Sequence, residues 1–173
     1  MDILDSIAGE TTRIATLDAF LRLLAAVIVG AAVGFDRELR NKPAGLRTHI
    51  LISLAAALFT LITFELHEEV IAVNARGTAD PIRIIEAVTA GVAFLAAGAI
   101  IQSRGNVRGL TTGANMWLAG ALGVTCGSGH YTLAVMGTGF AIVVLVVLAR
   151  LEQKFTSEAS RNSGRSEQRK EPD

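Results

Sequence analysis

Two carboxylates, Asp36 and Glu38, are separated by one residue and crowded in sequence by Arg37, Arg40, Arg47, Arg104 and Arg108. Acids at that spacing could hold a divalent cation, because Mg²⁺ is bound through oxygen ligands. So many guanidinium groups compete for them that the pattern reads instead as a salt-bridge cluster that fixes the loops. No metal and no cofactor are expected there. His49 and Asn115 each stand near the start of an apolar run and could add polar partners. A lone histidine in that place reads as a hydrogen-bonded anchor, not a proton relay.

A second set of ionisable groups, Arg22, Arg83 and Glu86, lies within apolar runs. In a membrane such groups are costly, and they pair or line a polar cavity. Arg22 precedes Phe35 by thirteen residues and Glu86 precedes Ile101 by fifteen, which puts both at one depth. They could pair across helices. Alternatively Glu86 pairs locally with Arg83 at i,i+3 while Arg22 reaches outward. Spacing leaves both open. Nothing resembles a nucleophile–base pair, a phosphate-cradling loop or a cysteine–histidine cluster, so no enzymatic activity is expected. The single cysteine, Cys126, excludes an internal disulfide and is flanked for packing.

The elements that must position these groups are membrane helices. The chain has 173 residues, 51% of them hydrophobic, with 17 glycines and 3 prolines. Its apolar runs recur at roughly the 20-residue length that crosses a bilayer. Five spans are predicted, over about Leu17–Phe35, Leu46–Phe64, Ile82–Ile101, Leu110–Thr125 and Tyr131–Ala149. The fold class is thus all-α, a polytopic bundle of five transmembrane helices. It has a lead at 1–16, a membrane domain at 17–152 and a polar, disordered tail at 153–173. Asp2, Asp5, Glu10 and Arg13 do not make a secretory signal, so the first span is expected to stay. Residues 65–81 and 102–109 read as loops, and Thr111 and Thr112 read as caps of the fourth span.

The formal net charge is zero, which gives no field for nucleic acid, but charge is segregated along the chain. With the N-terminus outside and five spans, twelve of the 16 basic residues fall on the cytoplasmic side. Without the short, glycine-bearing fourth span the basic tail would lie outside, against the positive-inside rule. Small residues recur at Gly30/Gly34, Gly91/Gly98 and Gly123/Gly127. In lipid, helices associate by close backbone approach at such residues, so these faces are expected to be the interfaces.

Five segments in order carry a resemblance: Gly30–Glu38 (GxxxGxDRE), Lys42–His49 (KPAGLRTH), Asp80–Ile84 (DPxRI), Phe94–Gly98 (FLxAG) and Val107–Thr112 (VRGLTT). Together they resemble the MgtC/SapB family of bacterial membrane proteins over about residues 20–152. Asp36 stands where that family usually has Glu. Ala96 replaces the first glycine of its usual FLGAG, which implies a looser helix approach there. Many members also carry a soluble C-terminal domain, where this chain has a polar tail. The resemblance implies an inner-membrane protein connected with magnesium limitation and virulence, acting on other membrane machinery such as the F-type ATP synthase. The alternative is a small ion transporter or channel, which so narrow a bundle would form only as a homo-oligomer. The absence of an inverted repeat counts against transport.

Overall fold

The computed structural model describes residues 14–73, 80, 82–103, 106–148 and 150. The predicted lead and tail therefore fall almost wholly outside the described residues. The chain divides into two units, residues 1–138 and 139–173. Helix α1 spans Thr16–Leu39, α2 Leu46–Val73, α3 Arg83–Ala99, α4 Leu110–Gly127 and α5 Tyr131–Val143. The second unit continues α5 and adds a π-helical turn, Val144–Leu148. Among the described residues the fold is all-α with five helices, as the apolar runs predict, apart from one short hairpin.

The turn between α1 and α2 has an identifiable cause on each side. Helix α1 stops in a Schellman motif. Asn41 adopts φ 50°, its N–H donates to Glu38 O, and Lys42 N–H donates to Arg37 O at 3.1 Å. Asparagine is among the few non-glycine residues that tolerate that left-handed geometry, and Pro43 then bars further helix. Helix α2 begins under the Glu38 carboxylate, whose Oε2 accepts the Leu46 N–H at 2.9 Å. A carboxylate at a helix N-terminus satisfies an orphan donor and favours the positive end of the dipole.

Three boundaries differ from the sequence expectation. Helix α1 runs through Leu39, so the charged cluster starts on its last turn and not in a loop. Helix α2 runs through Glu65–Val73, which was expected to be loop. Those residues are mostly good helix formers, and no glycine or proline occurs before Gly77. The stretch after α3 pairs as an antiparallel hairpin, Ile101–Ser103 with Asn106–Arg108. Nor do the threonines cap α4. Gly109 precedes it at φ 90°, and no side chain makes a cap bond.

Within the first unit α1 packs on α2 and α4, α2 on α4, and α3 on α4. Helix α4, the shortest predicted span, is central. Its glycines face two ways. A Cβ at Gly127 would lie 2.6 Å from Ala57 O on α2, and one at Gly120 would lie 2.9 Å from Val92 Cγ2 on α3. Gly30 and Gly34 do pack as expected: added Cβ atoms would meet His49 O at 2.8 Å and Leu46 Cα at 2.9 Å. Gly91 and Gly98 do not. Both are exposed, and a Cβ there would meet nothing within 4 Å. Helix α3 buries Val88, Val92 and Ala96 instead. At Ala96 the methyl group is accommodated by Gly113 opposite, whose own Cβ would sit 3.4 Å from it.

The outward faces are apolar: Phe20, Ile28 and Phe35 on α1, and Leu51, Leu58, Phe59 and Ile62 on α2 are more than half exposed. By length and composition α1 and α2 are long and apolar enough to cross a membrane. Small and polar groups inside with large apolar groups outside is the arrangement lipid demands. The bundle is that of a membrane protein.

Candidate functional site

The charged cluster separates into a rim and an interior. On the rim, Arg40 Nε donates to both oxygens of Asp36 at 2.9 and 3.0 Å, one helical turn apart. Glu38 is held by the α2 N-terminus, and Gly45 leaves room for it, since a Cβ there would collide with Oε2. Arg47 is exposed. Among the described residues the single salt-bridge knot of the sequence reading is therefore corrected to one ion pair and one helix cap; Arg104 lies outside the described residues.

Arg37 turns the other way. Ala26, Gly30, Val33 and Arg37 follow a 4-3-4 spacing on the buried stripe of α1, so Arg37 continues the face that packs on α2 and α4. It is 3% exposed, and its Nη2 donates to Thr112 Oγ1 on α4. Its Nε has no partner among the described residues. Periodicity could have shown this, whereas grouping Arg37 with its sequence neighbours concealed it.

Two of the anticipated polar residues join Arg37 in the interior, and one that was not anticipated does so as well. His49 is fully buried and its Nδ1 bonds Gly45 O at 2.8 Å. A carbonyl oxygen only accepts, so Nδ1 carries the proton, and Nε2 is left without a partner among the described residues. Asn115 lies one turn beyond Thr112 on the same face of α4, 6% exposed, with Nδ2 unpartnered among the described residues. Ser53, which the sequence reading passed over, is fully buried, and its Oγ has no partner among the described residues. Thr60 is also buried but bonds back to Ala56 O at 2.8 Å. The result is a polar seam between α1, α2 and α4, in a bundle whose outer faces are apolar.

At the opposite end, Arg22 has its own partners. It pairs with Asp18 at 2.6 Å, one turn earlier, and its Nη1 donates to Gly127 O at 3.0 Å. A cation at the α4 C-terminus meets the negative end of the dipole. Glu86 and Arg83 are exposed on α3. Arg22 is therefore anchored by Asp18 and α4, and the Arg22–Glu86 pairing is not adopted. Between α3 and α4 lies a cavity of about 250 Å³ lined chiefly by Ile85, Val88, Val92, Trp117, Gly120 and Val124. Among the described residues no three of His, Cys, Asp and Glu gather as a metal-holding group.

The MgtC family model matches residues 23–154. The chain is 39% identical over 136 residues to a protein of Escherichia coli K12 named as a putative magnesium transporter, YhiD. That match covers 79% of this chain and 63% of the relative. Protein SrpB of Synechococcus elongatus is 37% identical, over 76% of this chain and 75% of the relative. Protein MgtC of Brucella abortus is 36% identical, over 80% of this chain and 55% of the relative. The chain thus spans less than two thirds of the length of the E. coli and Brucella relatives. No solved structure matches. The family match runs from within α1 through α5, and the motifs at Gly30–Glu38 and Val107–Thr112 supply the joint where Arg37 meets Thr112. The chain belongs to the MgtC family.

Proposed function

We propose that this protein acts by docking against other membrane proteins through the outer face of α3, in adaptation to low magnesium. The observation that carries this reading is the exposure of Gly91 and Gly98, where nothing lies within 4 Å of an added Cβ. Glycines exposed to lipid lower helix propensity without local gain, whereas a docked helix would use them for close approach. An F-type ATP synthase subunit is the partner that the family resemblance suggests. The magnesium context draws support from the E. coli relative's name. The proposed setting is the bacterial inner membrane, with Arg40, Lys42 and Arg47 on the cytoplasmic side.

The test is capture of membrane partners from mild detergent by wild type and by a Gly91→Leu/Gly98→Leu variant. Since both sites are open, the variant keeps its fold and loses the partner. Equal capture by both proteins would remove the case for this face. A second reading, ion transport, is favoured by the buried polar seam of Arg37, His49, Ser53 and Asn115. Flux in liposomes separates the two.

A further inference from the structure

The cavity between α3 and α4 is a groove open on the outer surface of the bundle. Ile85, Thr89 and Val92 form one wall, at the i, i+4, i+7 spacing of a single helix face, and Trp117, Ala121 and Thr125 form the other. The helices touch at Gly120 and Val92, which closes the bottom, while Ile85 and Trp117 are each 50% exposed at the rims. The lining covers two turns of each helix, a length of about 10 Å at the α-helical rise. Thr125 Oγ1 donates back to Ala121 O at 2.8 Å, so it offers no free donor. Water gains no partners in such a lining, and an unfilled groove forfeits dispersion contacts on one side. In a bundle whose outer faces are apolar, the surrounding acyl chains match the groove in chemistry and in length. A single side chain of a partner protein would fill one point of it.

The mouth of the groove is charged. Glu86 stands one turn before Thr89 on α3, and Arg83 one turn before Glu86, at the start of the helix. Both are exposed, and among the described residues neither has an ion-pair partner. Side chains lean toward the N-terminus of their helix, so both reach past the end of the groove. A carboxylate and a guanidinium one turn apart complement a zwitterion. We infer that this groove seats one acyl chain of an amine-bearing phospholipid, with the ammonium paired to Glu86 and the phosphate to Arg83. The site is distinct from the docking face proposed above. At ~100° per residue, Gly91 and Gly98 fall on the far side of α3 from Ile85 and Thr89.

Trp117, the chain's only tryptophan, lines the groove and reports what fills it. The protein is reconstituted in vesicles of phosphatidylethanolamine and phosphatidylglycerol in which one lipid or the other carries mid-chain bromines, which quench tryptophan only at close range. Relative quenching then gives the relative occupancy of the groove by each lipid. Phosphatidylethanolamine should be preferred over phosphatidylglycerol by ~3-fold, the scale of one exposed ion pair. Glu86→Gln, at an exposed position, should keep the fold and bring the ratio to one. Ala121→Phe adds a ring at an exposed position of the groove, so it should fill the groove and also abolish the preference. Helix content by circular dichroism shows that each variant is folded, and either variant serves if the other is not. Equal quenching by the two lipids, a preference for phosphatidylglycerol, or a preference that persists in a folded variant overturns the inference.

Discussion

Replacing Gly34 and Gly91 by alanine should change stability in opposite directions. At Gly34 the new methyl group would lie 2.9 Å from Leu46 Cα, 3.0 Å from His49 Cβ and 3.2 Å from Gly45 O. Carbon atoms rest at ~3.5–4.0 Å, so α1 and α2 must part by ~0.5–1 Å. Overpacking of this kind costs ~1–3 kcal/mol, and alanine's better helix propensity returns only ~0.5–1 kcal/mol. The net expectation is a loss of ~1–2 kcal/mol. At Gly91 there is no neighbour within 4 Å, so propensity acts alone and should stabilise by ~0.5–1 kcal/mol. Unfolding by sodium dodecyl sulfate in mixed micelles would measure both. The reporter is Trp117, the chain's only tryptophan, which stands on α4. A Gly34→Ala protein as stable as wild type would refute the close α1–α2 contact, and a destabilised Gly91→Ala would refute the open face of α3.

Other expectations follow from the rim and the far end. Glu38→Ala removes the α2 cap and should cost ~0.5–2 kcal/mol, whereas Asp36→Ala breaks a partly exposed pair and should cost no more than ~1 kcal/mol; chemical unfolding of the two variants should preserve that order. Arg22→Ala removes the cation from the α4 C-terminus and should cost ~1 kcal/mol, while Arg83→Ala on the exposed start of α3 should be nearly neutral in the same assay. Cysteine placed at Ser163 should be labelled only from the cytoplasmic side, and outer-face labelling would contradict the proposed orientation.

Periodicity made most of the architecture readable. Apolar runs of membrane length marked all five helices, and the charge distribution retained α4 despite its glycines. What could not be read was the direction in which each small or charged residue points. Gly30 and Gly91 look alike in sequence, yet one abuts a neighbouring backbone and the other faces outward, because only the neighbour's position distinguishes them. Arg37 sits between two acids in the chain, but helical geometry turns it away from the rim onto the stripe of Gly30 and Val33. Ser53 is a small hydroxyl in an apolar run, and its burial depends on the close approach of Gly30 and Gly123. The extension of α2 beyond Phe64 was concealed by its charge, since a helix can leave the bilayer without ending. Depth in the membrane and helix length are separate quantities.

The most direct test of the proposed function is magnesium flux into liposomes containing the purified chain. The docking account predicts no flux above protein-free liposomes, from either wild type or Asn115→Ala, with both proteins folded and both still capturing their membrane partner. Magnesium uptake by the wild type that disappears in a well-folded Asn115→Ala protein would contradict that account and establish a transporter through the buried seam.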